Sequence, residues 1–143
     1  MSIFEPANQK WTGRMLSTLR IVAGLVFFVG GTMKAFGFPP FPTDGPKLPM
    51  PPMWEFHLAG WLETYLGGAF VLGFLTRPIS FILAGEMAVA YFQVHFPLGF
   101  WTTVNWGGPA VVFCFLFLYF MFAGAGPWSV DAIIARRAGN RID

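Results

Sequence analysis

Apolar residues gather into four long runs, broken by proline, glycine and charge. The runs cover roughly residues 15–38, 53–75, 78–96 and 107–125, each about 19–24 residues long. A hydrocarbon core ~30 Å thick takes about 20 helical residues to cross. Only helices and closed barrels satisfy their backbone polar groups there. The pattern therefore predicts an all-α chain: a four-helix transmembrane bundle running up-down-up-down. No composition shift divides it, so residues 1–143 read as a single membrane domain.

Between the first two runs lies FPPFPTDGPKLPMPP, with seven prolines from Pro39 to Pro52. Such a segment is neither helix nor central strand and favours extended polyproline geometry. Thr76-Arg77-Pro78 reads as a tight turn, with Pro78 suited to open the third helix. Leu98–Trp106 reads as an aromatic loop. The tail GAGPWSVDAIIARRAGNRID predicts a short amphipathic helix over residues 130–138, lying on the membrane surface. Ser129 is its expected N-cap, Asp131 falls in its first turn, and Trp128 suits the headgroup level.

Composition supports this picture. Hydrophobic residues make up 55% and charged residues 11% of the chain, against about 25% charged in a soluble domain. A net charge of +2 without a basic stripe gives no reason to expect nucleic acid. The lone Cys114, inside the fourth run, cannot form an internal disulfide and reads as a small hydrophobe. The first run exceeds the 7–15 apolar residues of a signal peptide and lacks an A-x-A site, so a retained helix is expected. Lys10, Arg14, Arg77, Arg136, Arg137 and Arg141 flank one side, against Lys34 and Lys47 on the other. That asymmetry puts both termini in the cytoplasm and the two loops outside.

The polar residues inside the runs are the candidates for function. Arg20, Gly24, Phe27, Gly31 and Lys34 share one face of the first helix, and the glycines allow another helix close. Glu63 lies mid-run with Ala59, Gly67, Gly60, Thr64 and Gly68 forming small-residue rows beside it. A carboxylate there must be paired or protonated. Glu86 lies at comparable depth in the third helix, with Gln93 on the same face. Two carboxylates and two first-helix bases predict charge pairs within the bundle, serving either packing or proton and ligand handling. His57 and His95 lie at similar depth near the outer helix ends. Their spacing is no haem motif and no metal is expected, while a proton-handling role for His95 is the stronger reading.

Several stretches carry a family resemblance: LRIVAGLVFFVGGTMKAFGF, LAGWLETYLGGAFVLGFLTRP, AGEMAVAYFQVHFPLGFW and GAGPWSVD. Together they resemble the DoxX family of small bacterial membrane proteins. Lys34, Glu63, Arg77, His95, Ser129 and Asp131 carry the pattern. Gly30 stands where many members have a polar residue or histidine, and the proline-rich loop is longer than usual. The resemblance implies a four-helix fold in the bacterial inner membrane and points toward redox biology. A similar family includes the membrane subunit of a thiosulfate:quinone oxidoreductase.

The expectation is an integral membrane subunit of a redox system, associated with quinone or an oxidoreductase partner. Lys34, Glu63, Glu86 and His95 would form its quinone or proton seam. The alternative is a non-catalytic subunit packed against a larger membrane complex or a second copy of itself through aromatic helix faces. No nucleotide fold or Cys pair is visible, so electrons would come from a partner or a bound cofactor.

Overall fold

The computed structural model describes residues 8–44 and 47–139, and Pro46 and Arg141 lie outside them. The described residues are helical with no strand: α1 (Gln9–Phe36), α2 (Met53–Leu72), α3 (Thr76–Ala90), α4 (Thr102–Asn105), α5 (Gly108–Ala123) and α6 (Val130–Gly139). Two stretches are long and apolar enough to cross a membrane, Gln9–Phe36 and Thr76–Leu98. Gly108–Ala123 is apolar but shorter. Leu19, Val22, Val26 and Val29 of α1 and Val112, Phe115, Tyr119 and Phe122 of α5 point outward, which is costly in water and favourable in lipid.

α1 starts six residues before the predicted Met15. The Asn8 side chain accepts the Lys10 N–H at 3.0 Å and caps a polar first turn. It ends where Gly37 takes a left-handed φ of 68° and its N–H returns to the Met33 carbonyl. α1 and α2 run antiparallel at close range, and glycine permits this. A Cβ on Gly31 would lie 2.6 Å from the Thr64 nitrogen, and one on Gly60 would lie 2.7 Å from the Ala35 nitrogen. Further along, Gly24 faces Val71 and Phe70. The predicted stripe is thus the buried face of α1 as far as Gly31.

α3 packs against α5, and the core lies between these helices and the α1–α2 pair. Phe27, Phe70, Ile79, Leu83, Ala84, Met87, Phe117 and Phe120 form it. Phe27 meets Phe117 edge-on at 4.9 Å, and Phe70 meets both Phe117 and Phe120 edge-on at 5.1 Å. Such offsets add about 0.5–1.5 kcal/mol per pair beyond burial. Cys114 is half-buried against this core, as expected of a small hydrophobe.

Thr76-Arg77-Pro78 is not the turn but the first turn of α3. The bend falls at Gly73–Leu75, where Gly73 and Leu75 have φ of 69° and 48°. The cause lies far along the chain. The Asp131 carboxylate accepts the backbone N–H of Leu75 at 2.8 Å and of Thr76 at 2.9 Å. Asp131 stands in the first turn of α6, as predicted, but it caps α3. Ser129 caps α6 as expected, accepting the Ala132 N–H at 3.1 Å. Asp131→Ala should cost about 1–2 kcal/mol, the worth of an N-cap, and Asp131→Asn should cost less. Denaturant titration in mild detergent reads both values, and equal stability of all three proteins would contradict the capping role.

The third run does not end as a plain helix. After Ala90 it widens into a π turn at Tyr91–His95, then tightens into a 3-10 turn at Phe96–Leu98 around Pro97. The predicted aromatic loop contains a helical turn, α4. Its Asn105 is fully buried, donates to the Gly99 carbonyl at 2.7 Å and accepts the Gly107 N–H at 2.7 Å.

Candidate functional site

Close α1–α2 packing sets the first part of the site. Gly31 lies against Glu63 and Thr64, Gly60 lies against Lys34 and Ala35, and the Lys34–Glu63 pair forms between these two close approaches. The Lys34 ammonium pairs with Glu63 Oε1. The Lys34 side chain is 27% exposed and that of Glu63 only 3%, so the pair reaches inward from the helix end. Gly30 adds space: its missing Cβ would sit 3.8 Å from Glu63 Oε2.

α3 supplies the second carboxyl. Both oxygens of Glu86 are buried and have no hydrogen-bond partner among the described residues. The group lies within coulombic reach of Glu63 and Lys34. One ammonium thus faces two carboxyl groups in an apolar setting. Electroneutrality there requires a second positive charge, most simply a proton.

The expected pairing of both first-helix bases with carboxylates holds for Lys34 alone. Arg20 has no acid partner at hydrogen-bond distance among the described residues. Its guanidinium is fully buried and donates to backbone carbonyls: Nε to Ala125 at 2.8 Å, Nη1 to Phe70 at 2.8 Å and to Val71, and Nη2 to Trp128 at 2.5 Å. These carbonyls lie at the end of α2, where that of Phe70 also accepts the Gly73 N–H at 3.0 Å, and in the turn before α6, and a planar five-donor group fits them. Ser17, three residues before Arg20, accepts the Trp128 N–H at 3.1 Å. Arg20 therefore ties three segments together and does not belong to the Lys34 site, about 21 Å away along α1 at 1.5 Å per residue.

His95 also stands apart from the carboxyls. Its Nδ1 is 2.9 Å from the Asn105 carbonyl, and its ring stacks on Tyr91 with centroids 6.5 Å apart. Tyr91 in turn donates to the Phe100 carbonyl at 3.0 Å. The π turn shifts His95 relative to Glu86 and fastens it to the α4 loop. His57 is exposed, with its ring edge-on to Phe56. Gln93 donates to Glu55 at 3.0 Å and joins α2 to the end of the third run. No group of three or more potential metal ligands occurs among the described residues.

Sequence reasoning overlooked Asn105, Ser17 and the Gln93–Glu55 bond. Ser17 had a signal, since it extends the Arg20 stripe by one turn. Asn105 had none: a polar residue in an aromatic loop shows no periodicity. Two clefts of about 470 and 490 Å³ open at the Arg20 end, the first lined by Thr76, Arg77, Gly124 and Asp131 among others and the second by Lys10, Arg14 and Arg136 among others. Lys34, Glu63 and Glu86 line neither.

The family model described as DoxX matches residues 15–96 of the chain. This chain belongs to the DoxX family. The match spans the stripe of α1, all of α2, and the third run through His95, so it contains Lys34, Glu63 and Glu86. The tail with Ser129 and Asp131 lies beyond it. This DoxX membrane protein is also 37% identical over 126 residues to an uncharacterized protein of Haemophilus influenzae (strain ATCC 51907 / DSM 11121 / KW20 / Rd), covering 86% of the chain and 92% of that protein. No solved structure matches the chain.

Proposed function

We propose that this DoxX protein is an integral subunit of a membrane redox system and that its polar seam handles the protons that accompany quinone chemistry. The observation that carries this reading is Glu86: a carboxyl with no partner, buried beside the Lys34–Glu63 pair. A purely structural charge in lipid is expected to be paired, whereas an unpartnered one is free to gain and lose a proton. Lys34 and the carboxyls can hydrogen-bond a quinone carbonyl and supply the proton taken up on its reduction. Electrons come from a partner or a bound cofactor. His95 stands outside this seam, bonded to the α4 loop.

The architecture within this reading is a four-helix up-down bundle in the bacterial inner membrane, with both termini cytoplasmic and the proline-rich and α4 loops outside. The Lys/Arg asymmetry supports that orientation.

The second reading is a non-catalytic subunit that docks a larger complex or a second copy. It is favoured by the seam's lining neither cleft and by the outward Phe115 and Phe122 of α5. The two readings part in native membranes. On the redox reading Glu86→Gln lowers quinone-linked electron transfer at least tenfold at unchanged protein level, and the protein co-purifies in mild detergent with quinone or an oxidoreductase. Unchanged electron transfer in Glu86→Gln, with neither quinone nor an oxidoreductase in the preparation, would replace it with the docking reading.

A further inference from the structure

The seam is not symmetrical between the two ends of the bundle. Toward the proline-rich loop, polar groups lie at successive depths. Glu55 and Gln93 are bonded to each other near the surface. Lys34 is partly exposed below them, Glu63 is almost wholly buried, and Glu86 has buried oxygens. Toward the Arg20 end apolar side chains come next to Glu86, before the hydroxyls of Ser80 and Thr76. Leu83, one turn along α3, is 0% exposed. The rings of Phe27, Phe70, Phe117 and Phe120 contact one another across α1, α2 and α5. Arg20 lies beyond this layer with its donors committed to carbonyls.

We infer that Glu86 is a proton-exchange site open to the Lys34 end of the bundle and closed toward the Arg20 end. The inference rests on the reading of the seam as proton-handling and adds its direction. Two features argue for it. A proton moves between groups that lie within hydrogen-bond reach of each other or of an intervening water, and the ionisable groups at graded depth, Glu55, Lys34 and Glu63, lie on the loop side. A close-packed aromatic layer has no room or polar partners for water. The ionisable groups facing Glu86 are Glu63 from α2 and Lys34 from α1, and α5 brings only Cys114 to the core. Only Lys34 among them carries a cation, so it and Glu63 form the gate through which Glu86 is reached.

One rival route exists. Ser80 Oγ and Thr76 Oγ1 are also buried without partners on α3, on the Arg20 side. Ser80 is six residues from Glu86, about 9 Å along the helix, with Leu83 between them.

The test uses the full chain in sealed vesicles sorted for one orientation, with the loop side identified by labelling of Thr43→Cys with an impermeant maleimide. The lipid-soluble reagent dicyclohexylcarbodiimide adds to protonated carboxyls, and peptide mass spectrometry reads the adduct at Glu86. Acidifying the loop-side medium by two pH units should raise adduct formation at least fivefold, and acidifying only the opposite side should leave it unchanged. Ser80→Ala should keep this sidedness. Adduct formation that follows the opposite side, responds to neither side, or loses its sidedness in Ser80→Ala overturns the inference. The assay does not read quinone chemistry, so a sided Glu86 in a protein without quinone-linked activity would sink the redox reading alone.

Discussion

Arg20→Ala should destabilise the protein by at least about 3–5 kcal/mol, enough to deplete the folded form in mild detergent. The estimate comes from the carbonyls it leaves behind. Each buried polar group without a partner costs about 1–3 kcal/mol, and Arg20 serves the carbonyls of Val71, Ala125 and Trp128 and shares that of Phe70 with the Gly73 N–H. The guanidinium itself is fully buried and closely packed. A Cβ on Gly73 would press on the Arg20 guanidinium and Ser129, and one on Gly126, at φ 77°, would meet Ser17 Oγ. Arg20→Lys should recover less than half of the loss, since a compact ammonium cannot span carbonyls on separate segments. Full stability of Arg20→Lys would show that charge alone matters and that the fork geometry does not.

Removing the lysine of the seam should be nearly as costly, and the loss should be reversible by a second change. Lys34→Met strands Glu63 and leaves two carboxyls facing each other without a cation. Breaking a buried pair on one side costs about 3–5 kcal/mol. Glu63→Gln alone should cost about 1 kcal/mol, because the amide oxygen still accepts from Lys34. The double variant Lys34→Met/Glu63→Gln should be more stable than Lys34→Met, giving a coupling of about 2 kcal/mol or more in a double-mutant cycle. Unfolding by denaturant in one detergent measures all four proteins. Additive losses would mean that Lys34 and Glu63 stabilise the fold independently, and the seam would lose its centre.

The two sites have opposite logic. Each nitrogen of the Arg20 guanidinium bonds to backbone, and the side chain holds the end of α2 and the α6 turn in place. The Lys34 site is satisfied in part and leaves one carboxyl open. Mutations at the first should change abundance, as should loss of Lys34, whereas Glu86→Gln should change what the protein does at constant abundance.

The helices were legible in the chain itself, because apolar runs of that length have few other solutions. So was the α1 stripe. A period near 3.6 places Arg20, Gly24, Phe27 and Gly31 on one face whatever the partner, and small residues at 24, 31, 60 and 67 mark where helices approach. Glu63 and its need for a cation followed from the cost of burying charge. Which cation answers it did not. Arg20 and Lys34 are equivalent along the stripe, and only the antiparallel register of α1 on α2 sets Lys34 at the level of Glu63 and Arg20 beside the end of α2. Asp131 capping α3 from 55 residues away, and Asn105 anchoring His95, are likewise choices of tertiary structure. Periodicity reports the face a residue occupies, while a hydrogen bond between distant segments depends on register, and register is decided by the packing of whole helices.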